Sequence, residues 1–354
     1  MTALESDECR RLVEAIRHAH ASGQRLAISG SGSKSFLMPT QQDASVSMLS
    51  VAEHSGVLDY QPDELVLTAR AGTPLRELRA IVGREQQMLP FDPPMFAGGG
   101  TLGGAIASGL SGPGRPWWGS VRDCVLGIEL VNGLGEQLTF GGQVLKNVAG
   151  YDLSRLQVGA FGTLGVIMSA SIRLLPQPPA ERTCILKLSA VESLARVRDF
   201  ARRPLPLSGT CFDAGLLRVR LSGADAAVLS ACAEIGGEIV ERDQHWQRLR
   251  DHELPTFSAG AQVWRWSLPP GAAAPTSNAL IEWAGALRWV TGADADDGAL
   301  AERLGGTAAP FSAGFAQLTA RNMPAAMSRY HQRLKTAFDP KNILNPGLVS
   351  AHAG

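Results

Sequence analysis

The chemistry-bearing residues of this chain sit in four short segments crowded with glycine and serine. SGSGSKS spans 29–35, AGGGTLGGAIASG spans 97–109, WWGSVRD spans 117–123 and FGTLGVI spans 161–167. In the first, Gly30, Ser31, Gly32, Ser33, Lys34 and Ser35 let successive backbone N–H groups point into one concavity, which is how a nest binds phosphate oxygens. The hydroxyls of Ser31, Ser33 and Ser35 add donors, and an ordinary flexible turn is the competing reading. Two familiar phosphate motifs do not fit. The dinucleotide fingerprint needs a third glycine where Ser35 stands, and the P-loop needs a glycine where Ser33 stands.

The second segment sets Gly100, Gly103 and Gly104 around Thr101 at a helix entrance, with Leu102, Ala105 and Ile106 on the buried side. Backbone there can approach a ligand closely, although tight packing of a helix on a sheet uses the same residues. The third sets Gly119, Arg122 and Asp123 just before a strand, and the fourth sets Gly162 and Gly165 at the start of another. Holding a cofactor at nanomolar affinity takes about 12 kcal/mol, whereas one charge-assisted hydrogen bond contributes about 1.5 to 3 kcal/mol. The pattern therefore suits an extended dinucleotide gripped by several loops better than a small ligand gripped by one.

These loops need elements to hold them. Leu12, Ala15, Ile16 and Ala19 recur at helical spacing, and Arg25–Ser29 reads as a strand running into the first loop. Further strands are expected at Ser45–Leu49 and Glu64–Ala69, and a helix capped by Thr73 with Pro74 in its first turn. Cys124–Asn132 and Glu136–Phe140 read as a hairpin. From Val166 the alternation with Ser169, Ser171 and Arg173 fits a strand with one more polar face. Glycine-rich loops thin out after the proline cluster PQPP at 176–179, which places a boundary there. Beyond it, helices are expected at Val191–Arg202, Asp225–Ile235 and Asn278–Val290, and strands at Cys184–Leu188, Leu216–Leu221 and Val263–Leu268. The class is α+β: a first domain over 1–178, a smaller α+β cap over 179–324, and a C-terminal helix (Ala325–Phe338) and tail over 325–354 that return towards the first domain.

Composition narrows the function classes. The 354 residues carry 33 basic and 33 acidic side chains and only 6% aromatics, so a nucleic-acid surface has little support. Five widely spaced cysteines without a C-x-x-C pair offer no zinc or iron–sulfur site and read as reduced thiols of a cytoplasmic protein. The start of the chain lacks the apolar core of a secretory signal. The longest uncharged stretch, Pro93–Gly114, is too rich in Gly, Pro and Ser for a transmembrane span.

In this order, and with KNVAGYDLSRLQVGAF at 146–161 leading into the fourth segment, the motifs resemble the vanillyl-alcohol-oxidase, or PCMH, type of FAD-binding domain, over roughly Arg25–Leu175. The resemblance implies a two-subdomain FAD-binding domain in which the loop 30–35 cradles the pyrophosphate. It also implies that Gly100, Thr101, Gly103, Gly104 and Ser108 lie along the flavin, and that Gly119, Asp123, Gly165, Val166 and Ile167 contact its ribityl and adenine parts. Covalent members attach the flavin through a histidine or cysteine at matching loop positions. Ser33 and its neighbours offer neither, so non-covalent FAD is expected. KNVAGYDL at 146–153 and FDPKNILNPG at 338–347 resemble the 2-hydroxy-acid branch of this family. Within it, the short chain and the cap segments WQRLRDHELPTF, VWRWSLPP and IEWAGALRWV are most similar to the E-type subunits of bacterial glycolate oxidases.

That branch implies oxidation of glycolate or D-lactate to the 2-oxo acid, with electrons passed to a partner. A larger FAD-binding paralogous subunit and an iron–sulfur subunit are the expected partners, with peripheral membrane association through the complex. A non-catalytic FAD carrier supporting a catalytic paralogue is the alternative. The chemistry needs a cation for the carboxylate, a base for the hydroxyl proton and the Cα–H bond aimed at the flavin. Lys146, Arg265 and Arg288 are the candidate cations, each also readable as a solvated charge or simple ion pair. Asn147 and Tyr151 border the flavin edge in relatives, and His331 or His252 is the candidate base. No close histidine pair matches the metal-binding histidines of the branch's catalytic members, so no metal is expected.

Overall fold

A computed structural model describes residues 7–38, 45–96, 99–142, 152–258, 262–273, 279–292, 295–312 and 325–348. The chain divides into two compact units, and neither is continuous in sequence. One comprises Met1–Leu110, Ser120–Pro176 and Ala313–Gly354, the other Ser111–Gly119 and Gln177–Ser312. The linear boundaries expected from the sequence left Ser111–Gly119 in the first domain.

The first unit is built on a five-stranded antiparallel sheet in the order Val57–Gln61, Val66–Arg70, Val166–Arg173, Val125–Val131, Gln137–Gly141. Its middle strand, Val166–Arg173, is buried along seven of its eight residues, which corrects the expectation of a polar face. Val166 and Met168 join one core with Leu12, Ile16 and Leu344, while Ile167, Ala170 and Ile172 join another with Leu78, Leu102 and Ile106. The serines tolerate burial because they are satisfied laterally: Ser169 donates to Glu129 at 2.7 Å and Ser171 pairs with Thr68 at 2.8 Å.

Beside this sheet, Arg25–Ser29 and Val46–Ser50 form a parallel pair, covered by the helix Asp7–Ser22, whose Leu12, Val13, Ile16 and Ala19 are buried. The C-terminal segment docks on the same strand. Leu26 N–H donates to Ile343 O at 2.7 Å and Asn345 N–H to Leu26 O at 2.8 Å. The helix Ala325–Phe338 precedes it, and Lys335 fastens the junction by donating to Asp339 at 2.6 Å, Thr163 O at 2.7 Å and Leu344 O at 2.8 Å. The helix Leu75–Arg84 takes Pro74, not Thr73, as its capping residue. The Thr73 hydroxyl instead donates to Arg70 O at 2.7 Å and accepts from Gly56 N–H at 2.9 Å.

The second unit carries an eight-stranded antiparallel sheet in the order Glu238–Glu241, Ala180–Lys187, Leu216–Gly223, Leu207–Asp213, Ala279–Glu282, Leu287–Thr291, Val263–Ser267, Thr307–Pro310. The helices Ala190–Phe200 and Asp225–Ile235 pack on it through Val197, Phe200, Val228 and Cys232. The helix expected at 278–290 is instead two paired strands, Ala279–Glu282 and Leu287–Thr291. They are joined by a turn in which Trp283 and Ala284 adopt left-handed φ of 54° and 55°, a conformation incompatible with a continuing helix. Mixed sheets and helices of this kind are the α+β class.

Candidate functional site

The strand Arg25–Ser29 delivers the SGSGSKS loop to a cavity of about 490 Å³ within the first unit. Residues Ser29–Phe36 form one wall, and Thr101, Gly104, Ala107 and Ser108 of the segment around the helix Leu102–Ser108 form another. Ala27, Ile28, Met38, Met48, Phe161 and Asn345 complete the lining. Local folding explains each wall. The loop closes into a short turn, Ser35 N–H donating to Gly32 O and Leu37 N–H to Lys34 O, both at 3.0 Å. Among the described residues the N–H groups of Ser31, Gly32, Ser33 and Lys34 find no acceptor, so the donors of the nest stay available. Thr101 caps the helix by accepting from Gly104 N–H at 3.2 Å, and Gly109 ends it in the left-handed conformation at φ 65°.

The two walls touch where only glycine fits. A Cβ on Gly30 would stand 2.5 Å from Thr101 Oγ1, and one on Gly100, at φ +53°, would stand 3.3 Å from Lys34 Nζ. Among the described residues Lys34 is the one charged residue lining the cavity. Its ammonium is buried without a hydrogen-bond partner among the described residues, lies 5.4 Å from the centre of the Phe96 ring, and is pushed down to about 8 by that burial. Asn345 ties the far wall together, accepting from Ile28 N–H at 2.8 Å and donating to Phe161 O at 2.6 Å.

Of the residues singled out in the sequence, Gly30, Ser31, Gly32, Ser33, Lys34, Ser35, Thr101, Gly104 and Ser108 come together around this cavity. The others have different neighbours. Gly103 allows the helix to press on Ala71, whose Cβ would be 2.8 Å from an added one, and Gly165 packs on Leu130. Val166 and Ile167 are buried in the sheet. Gly119 counts with the second unit, and Asp123 closes a capping box with Ser120. Asn345, Phe161 and Met48 line the cavity without having been singled out. The turn-rich run DPKNILNPG marked Asn345 only as part of a tail.

The remaining candidates are scattered. Lys146, Asn147 and Tyr151 lie outside the described residues. His331 is half-buried on the helix Ala325–Phe338. In the second unit Arg288 is fully buried, and its guanidinium donates to the carbonyls of Ala273 at 2.7 Å and Ala272 at 3.0 Å. Arg265 differs. Its guanidinium lies 5.5 Å from the Trp283 ring and 5.9 Å from the Trp289 ring, and its Nε has no partner among the described residues. Burial and then the charge of Arg115 bring it down to about 10. His252 stacks on Phe257 at 4.2 Å beside Trp289 and Phe311, and burial holds it near 3, neutral at ordinary pH.

Residues 7–141 match the family described as FAD binding domain. Along almost its whole length the chain is also 43% identical, over 354 residues, to the glycolate oxidase subunit GlcE of Escherichia coli K12, covering 98% of this chain and 99% of that one. The chain belongs to the FAD-binding-domain family. Other members align over part of its length. A D-2-hydroxyglutarate dehydrogenase of Xanthomonas citri pv. viticola is 31% identical over 58% of this chain and 44% of its own. A D-lactate dehydrogenase of Archaeoglobus fulgidus is 32% identical over 51% and 39%. Among solved structures an alkyldihydroxyacetonephosphate synthase superposes with a TM-score of 0.65 at 15% identity, over 95% of this chain and 75% of that one, a likeness of fold.

FAD is thus the cofactor of this flavoprotein, and the cavity suits it. The backbone donors and the Lys34 ammonium that find no partner among the described residues could hold a diphosphate, while Ala107, Met48, Phe36 and Phe161 could give apolar contact to flat rings. No helix among the described residues is long and apolar enough to cross a membrane.

Proposed function

We propose that this chain is the FAD-carrying subunit of a complex that oxidises glycolate, or a near relative such as D-lactate, to the 2-oxo acid. The observation that carries this reading is the end-to-end match to a glycolate oxidase subunit, over 98% of one chain and 99% of the other. In this reading the loop 30–35 with Thr101, Gly104 and Ser108 holds FAD non-covalently. Gly100, Gly103, Gly119, Asp123, Gly165, Val166 and Ile167 are assigned to it by family resemblance alone.

The reaction takes two electrons and two protons from the hydroxyl carbon and its oxygen, and bound FAD supplies the electron-accepting ring. The chain's own residues must then fix the carboxylate and receive the hydroxyl proton. Arg265 is our candidate for the carboxylate, because its Nε is unengaged among the described residues whereas the guanidinium of Arg288 is occupied by backbone carbonyls. Lys146 is a further candidate cation, and Asn147, Tyr151 and His331 are candidates for proton handling. Electrons then leave to a larger FAD-binding paralogous subunit and an iron–sulfur subunit, since the five cysteines here include no C-x-x-C pair. Any contact with the inner face of the membrane is made through that complex.

A second reading, a non-catalytic FAD carrier that supports or relays electrons from its paralogue, is favoured by the engagement of Arg288 and by the aromatic enclosure of His252. Anaerobic mixing of the FAD-loaded chain with glycolate or D-lactate separates the two. Bleaching of the flavin by the chain alone supports the first reading. Bleaching only with the partner subunits present supports the second, and no bleaching in either case removes oxidation of glycolate and D-lactate.

A further inference from the structure

The helix Ala325–Phe338 is anchored at its C-terminal end. Leu334 and Phe338 pack on the core of the first unit, Phe338 meets the Phe140 ring edge-on at 6.2 Å, and Lys335 ties the last turn to Thr163 and Leu344. The preceding turns are different. Tyr330 is 60% exposed and Met327 48%, and Arg329 and Arg333 are exposed as well. Helical spacing makes Met327 a neighbour of Tyr330, and Arg329 a neighbour of Arg333. The 14 residues of the helix include no carboxylate, although the chain as a whole balances 33 basic against 33 acidic residues. Neither arginine forms an ion pair among the described residues. Met, Tyr and Arg are the side chains enriched where proteins meet, and Tyr and Arg are prominent among those that carry most of the binding energy. A helix lying in a lipid surface needs a continuous apolar face, which two exposed apolar side chains do not make. Two copies of this carboxylate-free helix would meet with like charges. The complement is a protein surface that sets carboxylates around an apolar centre.

Resting on the reading that this chain passes electrons to other subunits, we propose that Met327, Arg329, Tyr330 and Arg333 form the docking site for an acidic surface of the electron-accepting subunit. Met327 and Tyr330 supply the apolar centre, and the two arginines steer the encounter and fix its orientation. The position suits electron transfer, because the segment that follows this helix reaches the cavity of the first unit through Asn345. The patch is the centre of an interface rather than the whole of one, since a standard interface covers about 800 Å² of each partner.

The test titrates the FAD-loaded full chain, carrying a fluorescent label at its amino terminus, with the purified paralogous and iron–sulfur subunits together, and anisotropy reports association. The proteins are wild type, Tyr330→Ala, the double variant Arg329→Glu with Arg333→Glu, and Val191→Ser as a control on an exposed apolar residue of the second unit. Thermal melting and flavin content confirm that each is folded and loaded. Loss of a central aromatic anchor predicts about 10- to 100-fold weaker association by Tyr330→Ala. The charge reversal slows association at low salt, and wild-type affinity falls as salt rises while that of the reversed variant does not. Val191→Ser binds as wild type does. Equal association by wild type, Tyr330→Ala and the charge reversal overturns the docking site and leaves the subunit reading standing. A wild-type chain that self-associates through Tyr330, with subunit binding unaffected by the variants, overturns it in favour of a second copy. Binding to vesicles of anionic phospholipid that the charge reversal abolishes, again with subunit binding unaffected, overturns it in favour of a lipid surface. A wild-type chain that binds neither subunit at low salt removes the complex itself and this proposal with it.

Discussion

At the scale of single residues, the site depends on the absence of side chains as much as on their presence. Gly30→Ala would push a methyl group to within 2.5 Å of Thr101 Oγ1, so the loop must move off the helix cap. We expect a destabilisation of about 1 to 3 kcal/mol and FAD binding weakened at least tenfold. Adding Thr101→Ala should recover part of the FAD affinity despite the loss of a cap that contributes about 1 kcal/mol. Lys34 sets a pH dependence of its own. It stands near 8 in the free cavity, and a diphosphate bound beside it would raise it. FAD affinity should therefore be full below pH 8 and fall as pH rises above it, and Lys34→Met should flatten that profile when the flavin-free chain is titrated with FAD by flavin fluorescence. The loop residues were legible in the sequence only together with the other three glycine-rich segments, because a run of glycines and serines alone reads as readily as a flexible turn. Asn345 was not, because its two bonds reach Ile28 and Phe161 across 317 and 184 residues, and no local pattern encodes such partners.

At the scale of elements, the C-terminal segment is a structural member of the cavity wall. Lys335 and Asp339 are both buried, and Asp339 also accepts the N–H groups of Ile343 at 3.1 Å and Leu344 at 2.8 Å. Replacing Lys335 with Met would leave that carboxylate buried without its cation, at a cost of about 3 to 5 kcal/mol. Urea unfolding monitored by circular dichroism should show the loss, and FAD binding should fall with it because Asn345 shares the segment. Removing both charges, Lys335→Met with Asp339→Asn, should be milder than the single change. The sequence conveyed this helix well, over Ala325–Phe338, since its apolar spacing and the turn-rich run after it agree. It misled at 278–290, where Leu280, Trp283, Leu287 and Val290 imitate helical spacing. Tertiary contacts decide otherwise: Trp289 donates to Glu282 across the two strands at 2.6 Å, which a helix would not allow. The polar face expected for Val166–Arg173 failed for a related reason, since serines paired across strands bury as readily as alanine.

At the scale of the whole molecule, the two units differ in what they would show an observer. All seven tryptophans, Trp117, Trp118, Trp246, Trp264, Trp266, Trp283 and Trp289, belong to the second unit, so selectively excited tryptophan fluorescence reports on that unit. The same unit holds His245 and His252, which burial lowers to about 4 and about 3. Such groups bind protons more readily when unfolded, so their contribution is present above pH 6.5 and is lost as pH falls from 6.5 through the folded values. Each steepens the loss by up to about 1.4 kcal/mol per pH unit. The tryptophan-detected urea midpoint should therefore drop between pH 7 and pH 5, and His252→Phe should lessen the drop. A midpoint insensitive to pH over that range would contradict the buried, neutral histidines.

The route of the chain between the units also has a temporal meaning. Because Asn345 bridges Ile28 and Phe161, the cavity wall cannot close on the ribosome when the glycine loops emerge. It must wait until the second unit has been translated and residue 345 has cleared the exit tunnel. A nascent chain stalled before that point would therefore carry the glycine loops without the Asn345 bonds that tie Ile28 to Phe161, and so with one wall of the cavity open.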